Sequence, residues 1–268
     1  MTQGEPRPRH QRATLLTLTE GRGVGYVLDG VAYGVVWPPP RWPTLEEARQ
    51  VALRHAAHLE LLELTAGGSA QRARQAAQLA LALCRLAEGH ALTETELQTV
   101  RQEHGAPTGE AVLHADGSAD KQGGRLSVGY TLNGRPYQTF FLHERGHEHL
   151  AEREAIRLAL THAWLLGYAR FRVRSDHRFH VRRYAEHLVH RGRRKSTSLE
   201  RLDALVEALG SAVHFEYLDT QATDAPHRLA VHARALHRLA LGEPLTRAQE
   251  VALRRVHFAL KAGGAAPY

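Results

Sequence analysis

The chain has 268 residues, 43% hydrophobic and 24% charged, an ordinary balance for a globular protein long enough to bury one large core or two modest ones. Lys and Arg number 35 against 28 Asp and Glu; residues 1–109 carry 11 of each sign, so the whole net charge of +7 lies in 110–268 and points to a polyanionic partner. No stretch reaches membrane-spanning length, the polar start MTQGEPRPRHQR has no apolar signal core, and the lone Cys84, in an apolar helical run, excludes a disulfide framework; a cytoplasmic protein is expected.

Residues 1–12 read as a disordered basic tail. The apolar runs ATLLTLT and GVGYVLDGVAYGVVW read as strands, the second broken by a hairpin turn at Asp29-Gly30. WPPPRWPT is a stiff loop, and Thr44 begins a helix of clear 3.6-residue period. LELLELTA follows as a short strand, then the helix of Cys84 and a second helix after Leu92-Thr93. Gly105-Ala-Pro-Thr-Gly109 is the best linker. EAVLHAD is a strand ending in Asp116, followed by a turn at Gly117-Ser118. RLSVGYTL and RPYQTFFL form a hairpin about Asn133-Gly134. The helix HLAEREAIRLALTHAWLLG, a strand ending in Asp176, two helices, the strand AVHFEYLD and the helix DAPHRLAVHARALHRLA complete the series.

Three segments recur in order. VGYVLDGVAY (24–33) and VGYTLNGRPY (128–137) share six of ten residues, as do EARQVALRHA (47–56) and EAIRLALTHA (154–163). RLAEGHALTETELQTVR (85–101) and RLALGEPLTRAQEVALR (238–254) share seven of seventeen. Two related β-β-β-α-β units are expected, the first shortened by loss of its later elements.

A strand running into Asp-Gly-Ser, a hairpin, a helix opening AExxAI, and a strand ending in Ser-Asp before a helix: over about 120 residues this order resembles ribonuclease H type 1 and its reverse-transcriptase-like relatives. The resemblance implies an α/β fold, a five-stranded mixed sheet with flanking helices, here preceded by a shorter, degenerate related unit. It also implies an enzyme, a metal-dependent endonuclease that cleaves the RNA strand of RNA–DNA hybrids with two Mg²⁺ or Mn²⁺ ions. The expected organisation is a tail (1–12), a non-catalytic unit (13–104), a catalytic domain (110–233) and a C-terminal helical extension (234–268). The alternatives are a nuclease of this fold on another nucleic acid, or a non-catalytic nucleic-acid-binding or assembly protein.

Physical chemistry points to the same acids. Divalent Mg²⁺ takes carboxylate oxygens. Asp116 and Asp176 sit at strand ends. Glu152 is spaced from Ile156, Ala159, Leu160 and Ala163 so that it lies on the buried helix stripe, where an acid needs a partner. Asp116, Glu152 and Asp176 are therefore the expected metal ligands and catalytic residues, with Glu154 pointing elsewhere. The family's fourth acid, in AD-x-L-A, is replaced by His227 within Pro226-His227-Arg228-Leu229-Ala230. Asp224 is the substitute candidate, or simply the N-cap of that helix. Gly117 and Ser118 are expected to contact the RNA strand, and Arg178, Arg182, Arg183, Arg191, Arg193, Arg194 and Lys195 to bind phosphates.

The first unit offers Glu20 at the place of Asp116, Leu45 at the place of Glu152, and no acid at the end of LELLELTA, so it is expected to be inert. The literal HExxH at His143–His147 has Gly146 inside it and precedes the Glu152 helix. It reads as loop histidines rather than a zinc-protease motif.

Overall fold

A computed structural model describes residues 12–120, 124–185, 197–218 and 224–263. The first segment contains β1 (Arg12–Glu20), β2 (Gly23–Leu28), β3 (Val31–Val36), α1 (Leu45–His58), β4 (Glu63–Ala66), α2 (Ala70–Ala87) and α3 (Glu94–His104). The second contains β5 (Ala111–Ala119), β6 (Arg125–Leu132), β7 (Arg135–Arg145), α4 (Glu148–Leu166), β8 (Phe171–Ser175), α5 (Arg178–Ala185), α6 (Thr197–Leu209), β9 (Val213–Tyr217), α7 (Asp224–Leu241) and α8 (Arg247–Lys261). Among the described residues no helix is long and apolar enough to cross a membrane.

Local chemistry accounts for the element ends. Asp29 and Asn133 take positive φ beside Gly30 and Gly134, as two-residue hairpin turns require. Thr44, Thr93 and Thr246 each form a capping box with Glu47, Glu96 and Gln249, and left-handed Gly167 ends α4. LELLELTA supplies a strand only over its last four residues, Glu63–Ala66.

The strands form two mixed sheets, β3-β2-β1-β4 and β7-β6-β5-β8-β9. In each, the first three strands are antiparallel and the later ones run parallel to the first. The second sheet, with helices on its faces, has the order and directions of an RNase H-like α/β fold.

The correspondence between the units extends to side chains. The Tyr26 hydroxyl lies 2.9 Å from His55 Nδ1, and Tyr130 lies 2.8 Å from His162 Nδ1. A Cβ on Gly25 would meet the Ala73 carbonyl oxygen at 1.9 Å, and one on Gly129 the Pro226 carbonyl oxygen at 2.3 Å; glycine lets α2 and α7 lie directly on their sheets. The glycine contacts pair α2 with α7, and the likeness of 85–101 to 238–254 pairs α3 with α8. The first unit therefore lacks counterparts of α5, α6 and β9, which are interior elements, and not the later elements expected from the sequence.

The terminal helices are exchanged. His104 of α3 bonds Tyr137 and Tyr168 in the second unit, at 2.9 and 2.8 Å, whereas His257 of α8 bonds Tyr33 in the first at 2.7 Å. Arg157 of α4 bonds the carbonyls of Leu86 and Ala87 that end α2, and Arg54 of α1 bonds Leu239 near the end of α7. The two cores follow suit: Leu83, Leu86 and Val100 complete the core of the five-stranded sheet, and Leu236, Leu239 and Leu253 that of the four-stranded one. Position 233, where the catalytic domain was expected to end, lies inside the continuous helix α7.

Candidate active site

Asp116 lies on β5. The parallel ladder between β5 and β8 ends at His114 and Arg174, but β5 continues beside β6 through Ala119. Asp116 thus lies just past the end of β8, in the notch where its neighbour has stopped. Gly117 and Ser118 are consequently strand residues, buried and paired with Val128 and Ser127, and not the exposed turn that their composition suggests.

Two glycines admit the helices that surround the aspartate. A Cβ on Gly117 would stand 2.1 Å from the Ala151 carbonyl carbon and 2.4 Å from the Glu152 nitrogen, so only glycine lets the start of α4 rest on β5. Gly129 is the cross-strand partner of Asp116 and lies beneath Pro226 and Ala230 of α7. That contact sets His227 beside the aspartate: Nδ1 is 2.9 Å from Asp116 Oδ2, while the Gly117 amide donates to Oδ1 at 2.7 Å. His227 itself is exposed, and Asp116 is buried.

Glu152, in the second turn of α4, has Ile156, Ala159, Leu160 and Ala163 buried on its stripe. Its carboxyl is pushed up to about 8, first by burial and then by the negative charges of Asp116, Asp176 and Glu148. Asp176 is half-buried in the bend just beyond β8. Glu152 therefore feels the charge of both aspartates expected from the sequence. The three acids do not form a single close ligand set: among the described residues, the group whose donor atoms all lie within 4.8 Å of one another is His149, Glu152 and His177.

Neither histidine was anticipated. His149 stands three residues before Glu152 on the same helix, and His177 directly follows Asp176. An H-x-x-E pair opening the helix and the tripeptide Ser-Asp-His were the signals available. Burial, the neighbouring His149 and Arg153 hold His177 below the usual histidine range.

Other expected residues are used differently. Arg183 is buried and donates two hydrogen bonds to Asp203, at 3.0 and 2.6 Å, with the Tyr184 hydroxyl on the same carboxylate. It is a packing joint between α5 and α6 and cannot also serve a phosphate on the surface. Arg178 is exposed with its guanidinium 5.1 Å from the centre of the Tyr217 ring, and Arg182 is exposed on α5. Arg191, Arg193, Arg194 and Lys195 lie outside the described residues, as does the side chain of Asp224, the first residue of α7. Glu154 is fully buried against Arg157 and Arg201, away from the acids. In the HExxH stretch, His143 and Glu144 lie on β7 and His147 precedes α4, so the two histidines share no helix.

The first unit holds no equivalent set. Gly25, the counterpart of Gly129, pairs with Leu18, so Leu18 and not Glu20 stands where Asp116 does. Leu45 occupies the place of Glu152 at the start of α1, and β4 ends at Ala66 with no acid following.

No protein-family model matches the chain, and no curated protein does. Solved structures resemble it over about half its length. RNase H1 from the halophilic archaeon Halobacterium salinarum is 17% identical, with a TM-score of 0.39, over 47% of this chain and 98% of that one. The N-terminal RNase H domain of a Mycobacterium tuberculosis protein is 20% identical, with a TM-score of 0.40, over 50% and 98%. LC11-RNase H1 in complex with an RNA/DNA hybrid is 15% identical, with a TM-score of 0.38, over 44% and 92%.

Proposed function

We propose that this chain is a divalent-metal-dependent endonuclease that cuts the RNA strand of RNA–DNA hybrids, with residues 110–233 as its catalytic unit. The observation that carries this reading is the state of Glu152. Its carboxyl is raised to about 8, first by burial and then by the like charges of Asp116, Asp176 and Glu148 around it. Such crowding is costly unless cations relieve it, and an all-oxygen set of two Asp and one Glu suits Mg²⁺ or Mn²⁺. Asp116, Glu152 and Asp176 would hold the ions, with His227 or Asp224 in the family's fourth position. When bound, a pair of such ions supplies an activated water and neutralises charge on the scissile phosphate.

The chain's own residues do the rest. The Gly117 amide fixes the Asp116 carboxylate, and His227, exposed at the start of α7 and bonded to Asp116, is placed to take up or release a proton at the edge of the site. Arg178 and Arg182 on α5 offer phosphate contacts, joined by the basic stretch Arg191–Lys195. We read the first unit as a copy of the same plan that lacks the acids and serves as a packing partner, through the exchanged helices, for the catalytic one. The described part of the C-terminal extension, residues 234–263, completes that exchange.

A cleavage assay on labelled RNA–DNA hybrid, RNA duplex and DNA duplex, with Mg²⁺ or Mn²⁺, tests the reading. Asp116→Asn should lower turnover on the hybrid by at least about a thousandfold while leaving the fold intact. His227→Ala should lower it less. Cleavage of a duplex in preference to the hybrid would move the substrate, and tight binding without cleavage by the wild-type chain would overturn the enzyme.

A further inference from the structure

His149, Glu152 and His177 have the spacing of a metal face. His177 Nε2 lies 3.1 Å from Glu152 Oε2 and 3.1 Å from His149 Nδ1, and His149 Nδ1 lies 3.5 Å from Glu152 Oε2. For ligand bonds of about 2.0–2.1 Å the edge of a tetrahedron is about 3.3 Å and that of an octahedron about 2.9 Å, so these three atoms already stand where one ion would need them. Their chemistry agrees. All three atoms can offer a lone pair to a metal, and Glu152 Oε2 is buried without receiving a hydrogen bond.

We propose that His149, Glu152 and His177 form a binding site for a single divalent transition ion of the Zn²⁺ class, distinct in chemistry from an all-oxygen Mg²⁺ site and sharing Glu152 with it. Two imidazoles and one carboxylate are a zinc-type donor set, which leaves a fourth position for water or substrate. Mg²⁺, which dehydrates reluctantly and takes oxygen, is selected against. The backbone supports the set. His149 and Glu152 stand on successive turns of one helix face, and the His177 amide donates to Ser175 Oγ at 3.1 Å, which fixes the bend that carries the second imidazole. Ligation through Nε2 places the proton of His177 on Nδ1. That gives up the long hydrogen bond, 3.4 Å, which the His180 amide donates to Nδ1, but the amide keeps its bond to the His177 carbonyl at 3.1 Å. Arg153 lines the same open hollow, and at Glu152 the charges of Asp116, Asp176 and Glu148 outweigh it.

The test does not depend on the nuclease reading. The full chain, stripped of metal, is titrated with Co²⁺, whose visible bands report nitrogen ligation and low coordination number, and the bound ion is then displaced with Zn²⁺. The expected result is one equivalent of Co²⁺ with such bands. His149→Ala and His177→Ala should each weaken binding by more than about tenfold, whereas His147→Ala, whose ring is close by but outside the triad, leaves the titration unchanged. Asp116→Asn should also leave the bands in place, so loss of cleavage and loss of this site are separable. Absence of the bands, or identical titrations for the wild-type chain and the two triad variants, would overturn the proposal. His149 is exposed, so its removal does not threaten the fold.

Discussion

Gly117 concentrates the demands of the site in one residue. It must be a strand residue, paired with Val128, and it must let the Ala151–Glu152 peptide rest against it. Gly117→Ala forces the first turns of α4 away from β5 and carries Glu152 with them. We expect a loss of about 3 kcal/mol in urea unfolding, the upper range for overpacking a close contact. Cleavage should be lost as well, even at temperatures where the variant is fully folded. Full activity in a folded Gly117→Ala chain would show that the position of Glu152 is not critical. The acids themselves were legible in the sequence because each sits at a boundary that pattern reveals: Asp116 and Asp176 near strand ends, Glu152 on an apolar stripe. What was not legible is which partners they meet. His149 and His177 are distant in the chain, and only the packing of α4 beside the bend after β8 brings their rings together. Arg183 looked like one more member of a basic run; its burial depends on Asp203, twenty residues away across α6, which periodicity does not announce.

At the scale of elements, periodicity and turn chemistry revealed nearly every strand and helix, and the two-residue turns fixed both hairpins. Ladders set the limits of that reading. Asp-Gly-Ser has the composition of a turn, yet a neighbour on one side keeps it in β5 after the neighbour on the other has ended. The exchange of α3 and α8 was invisible for a different reason: sequence likeness pairs the two helices without telling which sheet each one covers. Val100 of α3 is buried in the core of the second sheet, and Leu253, its counterpart on α8, in the core of the first. Truncating either leaves a cavity in the unit that does not contain it. Leu253→Ala should cost about 3 kcal/mol and Val100→Ala somewhat less. Hydrogen exchange should accelerate in β2 and β3 for the first variant, and in β6 and β7 for the second. The reverse assignment, or acceleration confined to each helix's own unit, would show that the terminal helices are not exchanged.

At the scale of the whole molecule, the exchange makes one interlocked body whose interior is unusually rich in histidine. His55, His162, His232 and His257 are fully buried, and His180 and His237 nearly so. Burial holds His162, His180, His232 and His237 down to about 3, and lowers His55 as well. An unfolded chain returns these groups to their ordinary value near 6.5, so below that pH the unfolded state binds protons that the folded state refuses. Stability is therefore complete above about pH 6.5 and falls as the pH drops toward 3. Glu152 opposes this: with its carboxyl raised to about 8, the metal-free folded chain holds one proton that the unfolded chain gives up above about 4.5. With these five histidines on one side and Glu152 on the other, unfolding near pH 5.5 should take up between about three and four protons, a slope of about 5 kcal/mol per pH unit. Summed from pH 7 to 5 the loss is about 7 kcal/mol, comparable with the whole stability of an ordinary domain. Exposed carboxylates titrate mainly below about pH 5, so urea midpoints measured between pH 7 and 5 report the buried histidines, offset by Glu152. A midpoint that stays level across this interval would mean that the buried rings open to water, or take up protons, without unfolding the protein.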